Sequence, residues 1–114
     1  VQRQYRHTWN VVYNGVDTNL FKPGRSLKKN KQKLDLLYIG NLNEEKGLDY
    51  LLPVILKLRD KVNLTVVGDG PLWRKIKKYP CINYLGRKQK KELPSIIINH
   101  DLMTNIYFFK SIVI

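Results

Sequence analysis

The sequence predicts an α/β domain built on an open parallel sheet, and three observations support that. A short, nearly unbroken apolar run lies at residues 36–39, and further strand segments follow at 63–67 and 82–85. Each is closed by glycine, at Gly40, at Gly68 and Gly70, or at Gly86. The segments between them space their apolar residues as helices do. Continuous apolar runs are the mark of strands covered on both faces, and the alternation of strand and helix requires parallel crossovers.

Taken in order, residues 9–13 form a short strand-like run ending in the turn pair Asn14-Gly15. Pro23-Gly24 and the cluster Lys28, Lys29, Lys31 and Lys33 then make a polar connection to the first strong strand. After Gly40 a helix opens near Lys46 and Gly47. Its core runs over residues 48–58, with Leu48, Leu51, Leu52, Ile55 and Leu58 on one side. Pro53 falls early enough to be tolerated, although it bends or weakens the helix. The strand at 63–67 is closed by Gly68-Asp69-Gly70-Pro71. A short basic helix over 72–78, the strand at 82–85, a helix over 92–99 and a strand near 101–103 complete the pattern. The result is a Rossmann-like open sheet, with ligands expected at the carboxyl ends of its strands.

Composition narrows the function. The chain has 114 residues, 43% hydrophobic and 26% charged, which is ordinary for a folded globular protein. Cys81 is the single cysteine, so no internal disulfide or Cys/His zinc cluster is available, and a reducing, cytoplasmic setting fits. No run approaches the ~20 apolar residues that span a bilayer. The polar start at residues 1–7 does not read as a secretory signal. Twenty-one basic residues against nine acidic give a net charge of +12, which favours phosphate-bearing partners or peripheral contact with an anionic membrane face. Further basic patches lie at Arg74, Lys75, Lys77 and Lys78, and at Arg87, Lys88, Lys90 and Lys91. Most of this charge is lysine, whereas base readout leans on arginine, and no nucleic-acid motif is present; a dedicated nucleic-acid site is disfavoured.

The residues at 34–47, L-D-L-L-Y-I-G-N-L-N-E-E-K-G, join a buried strand, a glycine turn and a helix start that carries Lys46. Free N–H groups at such a turn and a nearby cation suit a diphosphate. The spacing matches neither G-x-G-x-x-G nor the Walker lysine motif, so dinucleotide and ATPase readings lose ground. Asp69, between two glycines, reads as a turn residue, and a second negative charge beside a diphosphate would repel it. His7 and His100 have no evident catalytic companion.

Read together, the segments V-V-Y-N-G-V-D-T-N-L-F-K-P, Y-I-G-N-L-N-E-E-K-G-L-D-Y-L-L, L-T-V-V-G-D-G-P-L, I-N-Y-L-G and K-E-L-P-S resemble, in this order, a known enzyme domain. It is the donor-binding C-terminal domain of retaining GT-B glycosyltransferases of the "glycosyl transferases group 1" type. The resemblance implies a donor site made of Gly40, Asn41, Lys46, Gly68, Gly70, Leu85, Gly86 and Arg87, with Lys46 on the diphosphate. Gly68 and Gly70 would admit the ligand to the backbone, and Leu85 to Arg87 would lie along the base. Asn41 stands where many members have arginine, so one of the two usual phosphate cations is absent. The N-G-V-D loop at 14–17 corresponds to the hinge side of the domain, with a structural role. The donor is a nucleotide-sugar substrate, the acceptor is unspecified, and the motifs require no metal or other cofactor.

On this reading residues 1–32 are a hinge-side lead-in with its basic connection, and 33–104 a nucleotide-sugar-binding half domain. Residues 105–114 are then a divergent apolar tail. The family's proline-serine turn, glutamate-containing glycine loop and second glutamate have no counterpart after residue 103, and no acceptor domain precedes Val11. The expectation is therefore an incomplete C-terminal domain, a fragment or decayed remnant, with no catalytic residue of its own and no transfer activity alone. The tail at 106–114 is expected to be a displaced strand or an exposed, sticky end. A second reading stays open: a non-catalytic basic module for nucleic acid or an anionic membrane surface.

Overall fold

A computed structural model of the protein describes residues 8–25 and 32–105. Among these residues four strands form one sheet: β1 (Leu34–Ile39), β2 (Val62–Val67), β3 (Ile82–Gly86) and β4 (Leu102–Met103), in the order β3-β2-β1-β4. Every neighbouring pair is parallel. The connecting helices are α1 (Leu48–Lys57), α2 (Trp73–Ile76) and α3 (Leu93–Ile98). The α/β, Rossmann-like open parallel sheet expected from the sequence is the fold observed.

The strand order explains the layers. From β1 to β3 the chain steps steadily in one direction, so right-handed crossovers place α1 and α2 on one face. The return from β3 past β2 and β1 to β4 places α3 on the other. The α1/α2 face holds the core. Tyr38, Leu64 and Val66 from the strands pack with Leu48, Leu52 and Ile55 of α1 and with Ile76 of α2, all at most 2% exposed. Burying each such side chain contributes roughly 1.5–3 kcal/mol, which outweighs the weak helix propensity of these short segments. On the α3 face only the middle of the sheet is dry, at Leu37, Thr65 and Val67, while Asn63 and Asn83 remain exposed.

Local chemistry sets the ends of the elements. A 3-10 turn at Glu44–Lys46 precedes α1, capped by Asn43, whose Oδ1 accepts from the Lys46 amide (3.2 Å). α1 runs unbroken through Pro53, which faces solvent. The basic helix is shorter than the sequence suggests. Its spiral ends at Ile76, because Pro80 pushes the residue before it out of the helical region and Lys77 and Lys78 are taken up in a turn. The last helix is likewise divided into a 3-10 turn at Lys90–Glu92 and α3, with the Gln89 amide donating to Glu92 Oε2 (2.7 Å).

Two expectations for the lead-in are corrected. Residues 9–13 form no strand, and Trp9, Val12 and Tyr13 are 87–88% exposed. A short apolar run makes a strand only where a neighbour completes the ladder, and none lies alongside among the described residues. The turn also falls later than Asn14-Gly15. Asp17 organises it, its Oδ1 accepting from the amides of Asn19 (2.9 Å) and Leu20 (3.3 Å) and its carbonyl from Phe21 (2.8 Å). The lysines at 28, 29 and 31, His7 and the apolar tail at 106–114 lie outside the described residues.

Candidate functional site

At the carboxyl edge of the sheet, the loops after β1 and β2 are fastened to each other. The Gly40 amide donates to Val67 O (3.0 Å), Leu42 to Asp69 O (2.9 Å) and Leu72 back to Leu42 O (3.0 Å). The Gly68 amide continues the chain of bonds to Gly86 O (2.9 Å), so all three strand-end turns are linked. Gly68 (φ +146) and Gly70 (φ +148) are glycines of necessity. A Cβ on Gly68 would collide with the Gly40 carbonyl, and one on Gly70 would stand 2.5 Å from Leu42 O. The close approach these glycines permit is thus between two loops of the protein itself.

On the α3 side of this edge lies an open depression of about 260 Å³. Gly40, Asn41, Gly68 and Asp69 form one wall, Arg87 and Lys88 the other, over Ile39 and Val67, with Leu93 of α3 closing the end. Small-molecule sites are usually about 300–1,000 Å³, so this one suits part of a ligand, such as a diphosphate, better than a whole nucleotide-sugar. Among the described residues, the amides of Asn41 and Asp69 have no protein acceptor. Two exposed or half-exposed cations and two unengaged amides make the depression attractive to an anion. Asp69 faces the same space, but its Oδ1 accepts from the Gly70 amide (2.8 Å), the turn role read from the sequence.

The remaining expected site residues stand outside this lining. Lys46 is half-buried at the end of the 3-10 turn that follows the β1 loop. Gly70 supports the loop contact described above. Leu85 is the extra residue of a β-bulge: Val66 pairs with Tyr84 and Val67 with Gly86, so Leu85 is skipped. Bulges re-aim the chain beyond them, and here that chain is Gly86, Arg87 and Lys88. Lys88 was not singled out from the sequence as a site residue. A glycine closing a strand was the only local hint of the bulge that delivers it.

A larger depression, about 480 Å³, opens at the amino-terminal end of the sheet beside Asp35, Asn63, Cys81 and His100. It lacks cations. Asp35 Oδ1 accepts from Asn63 Nδ2 (2.9 Å), and His100 donates through Nδ1 to Ile96 O (2.6 Å), a helix-end contact. Its size does not outweigh chemistry that suits no anion and an edge of the sheet that parallel folds rarely use. Among the described residues no three His, Cys, Asp or Glu side chains gather as a metal site, and no helix is long and apolar enough to cross a membrane.

Comparison with known proteins gives this geometry a family. Residues 33–111, most of the chain, match the family described as "Glycosyl transferases group 1". The chain belongs to that family. This glycosyl transferases group 1 domain is also similar to a protein of Klebsiella pneumoniae described as "Uncharacterized 41.2 kDa protein in cps region", with 33% identity over 103 residues. That match covers 82% of this chain but 28% of the relative's length.

Proposed function

We propose that the chain is a donor-binding domain of the GT-B architecture that holds a nucleotide-diphosphate sugar for retaining transfer of its glycosyl group to an acceptor hydroxyl. The linked strand-end loops carry this reading: they set Arg87, Lys88 and two unengaged amides around one depression at the carboxyl edge of a parallel sheet. Arg87 and Lys88 offset the arginine missing at Asn41, and Lys46, on the continuation of the β1 loop, adds a third cation. Neutralising the leaving diphosphate in this way needs positioned positive charge and no metal. On this proposal the base extends beyond the depression, along Leu85, Gly86 and Arg87.

Transfer itself needs an acceptor held against the anomeric carbon in a cleft that excludes water. The 114 residues supply one wall of such a cleft, and on this proposal the polypeptide by itself binds donor without transferring sugar. Titration with UDP and GDP, followed by calorimetry and by amide NMR, tests the reading. Saturable binding with shifts at Gly40, Asn41, Gly68 and Arg87 is expected. Binding of single-stranded DNA or anionic vesicles, with no nucleotide shifts at those residues, would instead establish the basic-module reading.

A further inference from the structure

Tyr38, Val66 and Tyr84 form one row across three strands: Tyr38 of β1 pairs with Val66 of β2, and Val66 with Tyr84 of β3. All three are on the α1/α2 face, opposite the depression. The two outer residues each send a phenol toward the carboxyl edge. Tyr38 Oη donates to the carbonyl of Asn41 (3.1 Å), and Tyr84 Oη to the carbonyl of Gly68 (3.1 Å). The acceptors belong to the two loops that wall the depression. Tyr38 is 2% exposed, and burial, followed by the charge of Asp69, raises the pKa of Tyr84.

A trans peptide carries its C=O and N–H on opposite sides, and among the described residues no peptide bond is cis. Fixing the Gly68 carbonyl toward Tyr84 therefore turns the Asp69 amide away from the α1/α2 face, toward the depression. Fixing the Asn41 carbonyl toward Tyr38 turns the Leu42 amide the other way, where it donates to Asp69 O (2.9 Å). We propose that Tyr38 and Tyr84 are positioning residues of the anion site: from beneath the sheet they hold the two loop peptides so that the Asp69 amide is presented to a bound phosphate. This rests on the donor-site reading for the ligand, but not for the peptide geometry.

Tyr84→Phe and Tyr38→Phe keep each ring and remove only the hydroxyl. In ligand-free Tyr84→Phe, the amide resonance of Asp69 should shift, with the far-UV circular dichroism unchanged. Affinity for UDP and for inorganic pyrophosphate should fall about threefold to tenfold, the scale of one hydrogen bond, while uridine is unaffected. Tyr38→Phe should move Leu42 and Asp69 together. If the wild-type protein binds neither UDP nor pyrophosphate, the donor reading fails, and the ligand-free resonances still decide the peptide geometry. Unchanged Asp69 resonance in Tyr84→Phe, or unchanged pyrophosphate affinity beside a lowered melting temperature, would overturn the positioning role.

Discussion

A Cβ on Gly68 would fall on the carbonyl oxygen of Gly40, so no side chain of any size fits at position 68. Gly86, at the end of the next strand, has a left-handed backbone (φ +70) but open space where a Cβ would go. One glycine is required by a neighbour, the other by its own dihedral angles. Gly86→Ala is expected to cost about 1–2 kcal/mol, the strain of a left-handed alanine. Gly68→Ala forces two backbones apart and should cost about 3 kcal/mol or more. Urea denaturation of the two variants would show it, and equal losses would contradict the close loop contact.

Removing single cations should separate phosphate recognition from recognition of the base. Lys46→Ala and Arg87→Ala are each expected to weaken UDP and GDP binding by about 1–3 kcal/mol, as for a charge-assisted hydrogen bond, and to leave uridine and guanosine nearly unchanged. Calorimetric titration of each nucleotide against its nucleoside provides the check. Equal loss for both ligand types would mean the substitution acts through the fold.

Leu42 is fully buried in the α1/α2 core while its backbone binds both Asp69 and Leu72. Leu42→Ala should therefore cost about 2–5 kcal/mol from the cavity alone. It should also broaden the amide signals of residues 40–42 and 68–70, whereas Leu64→Ala, deep in β2, should lower stability to a similar extent and leave those signals sharp. Paired denaturation and NMR spectra test this.

The raised pKa of Tyr84 gives stability a high-pH limb. Burial comes first among its causes and the Asp69 charge second, and both favour the neutral phenol in the folded state. A folded pKa above the unfolded value means that this contribution is complete below about pH 10 and is lost as the pH rises through the folded pKa. Wild-type protein should thus lose thermal stability above pH 10 more steeply than Tyr84→Phe, so that the gap between them narrows. Parallel melting curves that keep a constant gap up to pH 11 would contradict it. Lys75, held above its usual value by its hydrogen bond to and the charge of Asp49 (2.6 Å), titrates in both proteins and cancels in the comparison.

Much of the fold was legible in the sequence because its strands are mostly apolar and end in glycine turns. The strand beginning near residue 63 and the helix beginning at Leu48 were placed to within a residue. Trp9 to Tyr13 misled because a strand depends on a partner that residue order does not reveal. The shared rim at Gly40, Gly68 and Gly86 could be anticipated from strand ends alone. What could not was the register slip at Leu85, which turns on how Val67 pairs across the sheet and determines where Arg87 and Lys88 emerge. Nor could a linear pattern show that Tyr38 and Tyr84 share a row, since they come from strands that are not neighbours.

The two-residue β4 has its own implication. It meets β1 at Leu36 and Leu37, and is anchored by the Asp101 amide on Asp35 O and the Thr104 amide on Leu37 O, both 2.8 Å. Everything from β1 to β3 closes its core with neighbours in sequence, whereas β4 must come back across the sheet. The stretch from Leu34 to Gly86 is thus the cooperative unit, and β4 its most easily released flank. In time-resolved hydrogen exchange, amides of β2 should be the last to exchange and those of β4 among the first. The linked loops would stay intact while the β4 flank opens and closes, a hinge line at the edge of the site that leaves its floor undisturbed.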